Sequence, residues 1–228
     1  MFFFYICLNI VSTVMADNYL EKKFEEFHSS KGQGPRHKPA QGNLSLNSLL
    51  LKNRSYRGFD RSREVQEQDL RQIVEVCTKI PSAKNQQVLR FKLVTAEDAP
   101  RMQRLTKWAG ALPELGLPFE GTEPPAFIII CSTEPENKWV DIDLGIAAQS
   151  MLLKAVEMGL NGICIGAFNK GETIKEFDLK YEPVLVLAIG KGAEHIQLTH
   201  IKEGESKTYY RKDGVHFVPK LGLDDLVL

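Results

Sequence analysis

The longest helical pattern of apolar positions in the chain lies between residues 137 and 159. Apolar side chains recur there at helical spacing along one broad face, which predicts a helix over Asn137–Gly159, the longest of the chain. Its small residues Gly145, Ala147 and Ala148 would allow another helix to approach closely. A second periodic stretch predicts a helix over Glu64–Ile80. Two long amphipathic helices are therefore expected beside the core.

Continuous runs of apolar and β-branched residues have a different meaning, because they are typical of strands buried on both faces. Such runs predict buried strands at Ala126–Ser132 and Pro183–Gly190, whereas Leu89–Thr95 is β-like by alternation and Asn161–Ile165 is predicted as a short strand. Shorter helices are predicted at Leu44–Lys52, Ala96–Ala109 and Gly171–Phe177, with a short last element at Leu223–Leu228. Helices and strands alternate irregularly, and several connections are too short for parallel crossovers. The pattern therefore predicts an α+β fold.

The first sixteen residues, Met1–Ala16, form an apolar segment without charge. The segment is too short to span a bilayer comfortably, and it lacks the positive region of a signal peptide. Two interpretations stay open. Either it is signal-like, with a cleavage site at Val14-Met15-Ala16, or the start codon is assigned too early and translation begins at Met15, which we favour. In both cases the segment is left out of the expected fold.

Residues 17–43 separate this segment from the expected folded domain, 44–228. Asn18–Ser29 carries Leu and Phe at helical spacing, which predicts an amphipathic helix. Ser30–Asn43 is rich in Gly, Pro, Lys and Gln and predicts a flexible connection. Inside the domain, Leu112–Pro125 holds four prolines and two glycines and predicts a loop, with a lid over the site as one interpretation.

Composition excludes some function classes. The 228 residues contain 29 Lys+Arg and 29 Asp+Glu, so the formal net charge is zero and the basic excess of a general nucleic-acid binder is missing. The four cysteines are far apart, without the spacing of a metal site or a disulfide framework. We therefore expect free thiols, a cytoplasmic location, and neither a metal, nucleic acid nor a membrane as a partner.

Two short segments carry most of the candidate chemistry. Lys52–Phe59 (KNRSYRGF) places cationic groups and a hydroxyl close together, which suits a phosphate because guanidinium groups donate forked hydrogen bonds. Pro81–Gln87 (PSAKNQQ) is a turn-forming run whose backbone N–H groups would be open to a ligand. Together they predict a site for a phosphorylated cofactor. Taken alone, the cationic segment is more typical of a solvated surface.

Other motifs are interpreted structurally. Gly190-Lys191-Gly192 follows a strand but lacks the third glycine of a dinucleotide fingerprint, so a glycine turn at the strand end is the better interpretation. The five histidines show no metal-site spacing and are interpreted as surface residues. Asp141 and Asp143 lie near the start of the longest predicted helix, where acidic groups favour the helix dipole. The sequence shows no signature of a catalytic triad or paired carboxylates.

Five motifs occur in one order between about Leu46 and Gly190 and resemble the nitroreductase family of flavoenzymes. They are Arg54–Phe59, Pro81–Gln87, Asp143–Leu152 with Glu157–Leu160, Ile165–Phe168 and Pro183–Gly190. The resemblance implies a central, mostly antiparallel sheet flanked by helices, and a homodimer with the long helix at its core and FMN at its interface. It also implies ping-pong hydride transfer from NADH or NADPH, through the flavin, to a nitroaromatic, quinone or similar electrophilic acceptor.

Carried over residue by residue, the resemblance implies three groups of FMN contacts. The cationic segment would hold the phosphate and ribityl chain, and the Pro81–Gln87 segment would reach the flavin bound mainly by the other subunit. The turn after Cys164 would face the flavin ring. The implied residues are Asn53, Arg54, Ser55 and Arg57, then Pro81, Ser82, Ala83 and Asn85, and then Ile165, Gly166 and Ala167. The flavin would carry the chemistry, so no protein residue is assigned a catalytic role.

Four departures from the family pattern stand out. Asn53 replaces a first arginine, Gln86–Leu89 replaces the usual Gln-Pro-Trp, and Cys164 stands where proline or tryptophan is common. The basic residue near the C-terminus has no clear counterpart, with Arg211 as the first candidate and Lys220 as the second. Three hypotheses stay open: the reductase described above, another flavin reaction on the same fold such as reductive dehalogenation or flavin destruction, and a non-enzymatic flavin-binding dimer. We favour the first.

Overall fold

The computed structural model describes residues 44–110 and 115–228. The expectations for Met1–Ala16, Asn18–Ser29 and Ser30–Asn43 lie outside these residues, as does part of the predicted loop at Leu112–Pro125. Within the described residues, none of the helices combines the length and the apolar character that crossing a membrane would require.

The described helices and strands alternate along the chain. The α-helices are α1 (Leu46–Lys52), α2 (Glu67–Glu75), α3 (Ala99–Leu105), α4 (Lys138–Glu157) and α5 (Lys170–Phe177). The strands are β1 (Phe59–Asp60), β2 (Leu89–Val94), β3 (Ala126–Ser132), β4 (Asn161–Ile165), β5 (Glu182–Gly192), β6 (His195–Ile201), β7 (Tyr210–Lys212) and β8 (Val215–Leu221). Short 3₁₀ turns lie at Val76–Thr78, Ala83–Asn85 and Leu223–Asp225.

A five-stranded antiparallel sheet forms the centre of the fold. β3 pairs with β2 on one side and β5 on the other, and β5 also pairs with β4 and β1. All seven residues of β3 are buried because its alternate side chains enter two separate core clusters. Ile128 packs in the cluster that includes the α4 side chains, and Ile129 in the cluster that includes α3 and α5. Full burial of such a side chain stabilises the fold by about 1.5–3 kcal/mol. The α+β prediction is confirmed.

The longest helix, α4, agrees closely with its prediction. It begins after Asn137, whose side-chain oxygen accepts from the backbone N–H groups of Trp139 at 3.0 Å and Val140 at 3.3 Å. It ends before Gly159, which has a φ of +77°. One face is buried against the central sheet, whereas Ile142 on another face is 42% exposed.

Two predicted helices are shorter in the structure. The helix predicted over Glu64–Ile80 begins only at Glu67, because Gln66 and Asp69 form a reciprocal capping box at its start. It tightens into a 3₁₀ turn at Val76–Thr78. The helix predicted over Ala96–Ala109 is confined to α3, because the next residue, Thr106, is extended and pairs with Phe168.

The C-terminal part of the chain contains a second sheet that the sequence pattern did not predict. β8 pairs in parallel with β6 and antiparallel with β7. The β7–β8 hairpin turns at Asp213-Gly214, both with positive φ, and Asp-Gly is a known signal for such turns. The predicted last element at Leu223–Leu228 is limited to a 3₁₀ turn at Leu223–Asp225.

The interpretation of Gly190-Lys191-Gly192 as a glycine turn is wrong. These residues continue β5, which pairs with β1 through Gly192 and Lys191. Glycine is required at position 192 because a Cβ there would collide with the ring of Tyr56. The glycine marks a close approach of two chain segments instead of a bend.

Candidate functional site

The cationic segment predicted from the sequence forms a loop held against the edge of the central sheet. Ser55 makes a parallel bridge to Gly162 of β4, and the Tyr56 N–H donates to the Gly162 carbonyl at 3.2 Å. Position 162 requires glycine, because a Cβ there would lie 2.6 Å from the Ala188 carbonyl oxygen and 2.7 Å from a Leu152 methyl group. The contact fixes the loop over the end of α4 and β4.

Glu194, in the link between β5 and β6, fixes the second half of the same loop. Its carboxylate accepts hydrogen bonds from the backbone N–H groups of Arg57 and, at 3.2 Å, Gly58. The same carboxylate forms an ion pair with the Arg211 guanidinium. Because the Glu194 side chain is only 9% exposed, this contact is well shielded from water. Glu194 therefore connects the loop to the C-terminal sheet and neutralises Arg211.

Arg57 is a buried cation, with 8% of its surface exposed. Its Nη1 donates to the Ser55 carbonyl at 3.1 Å and lies 3.3 Å from His216 Nε2. The guanidinium carbon lies 4.7 Å from the ring centre of Tyr209, close enough for a cation–π contact. In residues 44–110 and 115–228, no carboxylate forms an ion pair with Arg57.

These side chains face a cavity of about 370 Å³ between the loop and the C-terminal sheet. Its lining includes Asn53, Arg54, Ser55 and Arg57 from the loop, Gln149 and Leu152 from α4, Gly162 and Cys164 from β4, and Ile196, Tyr209, His216, Val218 and Lys220 from the C-terminal part. Three cationic side chains thus line one cavity. The predicted phosphate-binding residues come together here, with Asn53 donating through Nδ2 to Gln149 at 3.2 Å.

Buried polar atoms without a hydrogen-bond partner concentrate around this cavity. Among the described residues there are five such side-chain atoms, and four of them are Arg54 Nε, Arg57 Nε, Arg211 Nε and His216 Nδ1. Buried polar groups normally have partners, so such a cluster points to a ligand that brings acceptors. All four residues carry nitrogen donors, and three of them line the cavity. The arrangement fits an anion.

The electrostatic environment supports the same assignment. Burial, and then the positive charges of Arg57 and Arg211, lower the pKa of His216 to about 4, so its imidazole is neutral at pH 7. Burial also lowers the pKa of Arg54 from its ordinary value. The His216 shift thus reports burial first and then the two neighbouring arginine charges, whereas the Arg54 shift reports the burial of its own charge.

A smaller cavity of about 190 Å³ adjoins the first and shares Arg57, Cys164 and Tyr209 with it. Its walls are Ile163–Ala167 on one side and Lys107–Gly110 on the other. The Lys107 N–H donates to the Ala167 carbonyl at 2.8 Å and holds the two walls together. The predicted turn residues Ile165, Gly166 and Ala167 therefore lie next to the cationic cavity.

The second predicted segment, Pro81–Gln87, lies outside the two cavities. It forms a 3₁₀ turn at Ala83–Asn85, and Pro81 and Ser82 precede it. None of Pro81, Ser82, Ala83 and Asn85 lines either cavity. The turn is attached to α4, because the Ala83 N–H donates to the buried carboxylate of Asp143 at 2.8 Å. Only Asp141 lies in the first turn of α4, where the dipole interpretation applies, whereas Asp143 has this specific hydrogen-bonding role.

The interpretation of the histidines as surface residues is wrong for His216, which is 2% exposed. His195 and His200 are exposed, and His28 and His37 lie outside the described residues. His216, Glu194 and Tyr209 were not recognised from the sequence because their sheet was not predicted. The Asp-Gly hairpin signal, with the alternation around it, could have placed His216 on an inward face.

A family model decides the classification. The model of the nitroreductase family matches residues 50–191, which is more than half of the 228-residue chain. This chain belongs to the nitroreductase family. In this nitroreductase the match contains the cationic loop and the turn at Ala83–Asn85, but it ends before Glu194, Tyr209, His216 and Lys220. The part of the cavity wall that comes from the C-terminal sheet lies beyond the matched region.

Solved structures of other nitroreductases share the fold. The FMN- and NADPH-dependent nitroreductase NfnB from Sphigopyxis sp. strain HMH is 20% identical, with a TM-score of 0.55, over 66% of this chain and 89% of that one. A presumed nitroreductase from Exiguobacterium sibiricum 255-15, in complex with FMN, is 20% identical, with a TM-score of 0.55, over 68% and 91%. A nitroreductase family protein from Streptococcus pneumoniae TIGR4 is 17% identical, with a TM-score of 0.56, over 67% and 93%. No curated protein matches the chain.

Proposed function

We propose that this nitroreductase is an FMN-dependent oxidoreductase that moves hydride from NADH or NADPH, by a ping-pong mechanism, to a nitroaromatic, quinone or similar electrophile. The observation that carries the proposal is the cluster of partnerless buried donors on Arg54, Arg57 and His216 around one cavity. A phosphate monoester would supply the missing acceptors and the missing negative charge. The FMN complex and the FMN dependence of the structural relatives support this choice.

The residues of the chain would divide the binding between the two adjoining cavities. Arg54, Ser55 and Arg57 would hold the phosphate and ribityl chain in the larger one, with Asn53 and Lys220 at its border. The smaller cavity, at Ile165–Ala167, would receive the near end of the ring system. Bound FMN would supply the hydride chemistry, and the protein would bind and orient it. Arg57 lines both cavities and would favour negative charge on a bound ring by electrostatic preorganisation.

Of the two C-terminal cations named as candidates, Lys220 fits the phosphate role better. Lys220 lines the larger cavity together with Arg54 and Arg57. Arg211 is held by Glu194 and does not line it. An ion-paired arginine has little charge left for a ligand, whereas a lysine at the cavity wall keeps its own. We therefore propose Lys220 as the C-terminal contact of the phosphate.

The second segment would act from the other subunit of a homodimer. On α4, Trp139 is 55% exposed and Ile142 is 42% exposed, and a Cβ at Gly145 would meet no atom within 4 Å. An exposed apolar helix face with a small residue is suited to packing against a second copy. The dimer would bring Pro81, Ser82, Ala83 and Asn85 of one subunit to the flavin of the other. Cys77, Cys131 and Cys164 are free thiols, in keeping with a reducing, cytoplasmic compartment.

An absorbance spectrum of the purified protein tests the proposal. We expect a flavin spectrum, or tight uptake of added FMN, and anaerobic loss of the flavin absorbance after NADH or NADPH is added. Reoxidation by a nitroaromatic or a quinone would complete the cycle. A protein that rejects FMN would sink the proposal. FMN that is reduced but not reoxidised by these acceptors would favour another flavin reaction, and FMN that NAD(P)H does not reduce would favour a binding protein.

A further inference from the structure

Two arginines beside the candidate phosphate site have different partners. Arg211 forms its ion pair with the carboxylate of Glu194. The side-chain hydrogen-bond partners of Arg57 are the Ser55 carbonyl at 3.1 Å and His216 Nε2 at 3.3 Å, and both are uncharged acceptors. A carboxylate partner would cancel the charge of a guanidinium, whereas a neutral acceptor fixes its position and leaves the charge in place.

The geometry of the Arg57–His216 contact defines the protonation of the imidazole. A guanidinium nitrogen only donates hydrogen bonds, so Arg57 Nη1 can bond to His216 Nε2 only when Nε2 carries no proton. The proton of the neutral ring then lies on Nδ1. Since His216 is 2% exposed, water cannot easily open the contact. The structure thus places a neutral imidazole behind a cation.

The groups around His216 keep it neutral. Arg57 faces it from the cationic loop, and Arg211 is its direct neighbour across the β7–β8 pair. Tyr209 lies with its ring centre 5.2 Å from that of His216, and Lys220 from β8 lines the same cavity. The carboxylate of Glu194, which bonds to the Arg57 backbone, is already paired with Arg211. Protonation would add a positive charge beside two arginines, which burial makes costly.

We propose that His216 is a positioning residue that holds the Arg57 guanidinium as a neutral acceptor, so that Arg57 keeps its charge for a phosphate. The proposal rests on the proposed function for the identity of the cofactor. It extends the site beyond the family-matched region, because His216 lies on β8. It also explains why the larger cavity retains a net positive character although a carboxylate is close by.

Glutamine and glutamate have nearly the same shape, so substituting each at position 216 separates the effect of a negative charge beside Arg57 from the effect of altered packing. His216→Gln keeps a neutral acceptor, and His216→Glu places a carboxylate beside Arg57. At pH 7.5, fluorescence titration of the purified apoprotein should show a smaller loss of FMN affinity for His216→Gln than for His216→Glu, because glutamine keeps a neutral acceptor beside Arg57. For His216→Glu we expect a loss of roughly 10- to 100-fold, the size of a lost charged interaction. Riboflavin, which lacks the phosphate, should bind the two variants within about threefold of each other.

Equal FMN affinity in the two variants would overturn the inference, whether or not both bind more weakly than the wild type. Nitrogen NMR of ¹⁵N-histidine-labelled wild type gives a second readout that needs no variant. We expect an unprotonated Nε2 and a protonated Nδ1 at pH 7.5, and the opposite tautomer would refute the proposed role. If the wild type binds no FMN, the proposed function fails. The His216 tautomer, and the binding of inorganic phosphate by His216→Gln against His216→Glu, then decide this inference separately.

Discussion

The two segments that the sequence singled out differ in how much of a site each forms within one chain. The loop around Arg57 lines a cavity, its backbone N–H groups bond to Gly162 of β4 and to Glu194, and the Arg57 side chain contacts His216 of β8. The turn at Ala83–Asn85 is attached only at its base, through Asp143, and lines neither cavity. Within one chain, the first segment is therefore surrounded by other cavity-lining residues, whereas the second is not.

The difference indicates which ligand contacts would require a second subunit. If one chain binds the phosphate, the affinity should depend on single residues of that chain. If a neighbouring chain contacts the flavin, the affinity should also depend on the association of the two subunits. Three positive φ values, at Lys84, Asn85 and Gln87, show that the second turn adopts a costly backbone. Such a conformation is commonly kept at functional sites, which supports a role for this turn in the proposed dimer.

The largest effect on FMN binding is expected from dissociating the proposed dimer, because this removes the second segment of one subunit from the flavin of the other. Ile142→Glu places an unpaired charge on the exposed apolar face of α4, and a buried unpaired charge costs about 3–5 kcal/mol. We expect dimer dissociation to become easier by about 100-fold or more, with a parallel loss of FMN. Sedimentation velocity and flavin content measure both. Lys175→Glu, at an exposed position of α5, is the matched control and should change neither. A monomer that retains full FMN affinity would contradict the expectation.

The second-largest effect is expected from removing the Arg57 cation from the first segment. Arg57→Ala removes charged hydrogen bonds worth about 1.5–3 kcal/mol, so we expect FMN affinity to fall by about 10- to 100-fold. Riboflavin affinity should change much less, because riboflavin has no phosphate. Arg71→Ala, at an exposed position paired with Glu67, serves as the control. An unchanged Kd for FMN would remove Arg57 from the phosphate site.

The attachment of the second segment can be tested through stability. Asp143→Ala leaves the Ala83 N–H without its acceptor, and an unsatisfied buried donor costs about 1–3 kcal/mol. We expect a loss of this size in the free energy of unfolding by urea. Asp143→Asn keeps an acceptor oxygen and should lose less than half as much. If Ala and Asn behave alike, the contact with Ala83 does not hold the turn.

The smallest effect is a pH dependence of the free energy of unfolding, which arises from His216 beside the first segment. The pKa of His216 is about 4 in the folded protein and 6.5 ordinarily, so the unfolded chain binds the extra proton first as pH falls. Stability from the neutral imidazole is therefore complete above pH 6.5 and decreases as pH falls towards 4. We expect a loss of about 1–2 kcal/mol over this interval, relative to His216→Gln. Parallel urea titrations of the two proteins that show the same pH profile would exclude this linkage.

Much of the central fold was predictable because its signals are local. The continuous apolar run Ala126–Ser132 predicted β3 with its observed bounds, since both faces of that strand are buried. Asn137 and Gly159 marked the ends of α4 through capping and positive φ. The cationic loop was predicted by residue type, and its placement beside Ile165–Ala167 followed from the family resemblance.

The remaining part of the site depends on contacts between distant residues. Glu194 contacts Arg57 across 137 positions, and His216 contacts it across 159. β6 and β8 have seven residues each and mix polar with apolar side chains, and β7 has only three residues, so the sheet and the burial of His216 were missed. The sequence placed Arg211 ahead of Lys220 as a candidate, because it could not show that Glu194 pairs with Arg211. Whether Pro81–Asn85 meets a flavin stays a prediction.

The late position of the C-terminal sheet has a consequence for how the protein matures. A nascent chain completes its central sheet at Gly192, before it contains His216 or Lys220. Domains begin to fold during synthesis, so the core can form while the larger cavity still lacks one wall. The cavity would then be completed only after β8 has been synthesised, so a ligand that depends on His216 and Lys220 could bind only at that late stage.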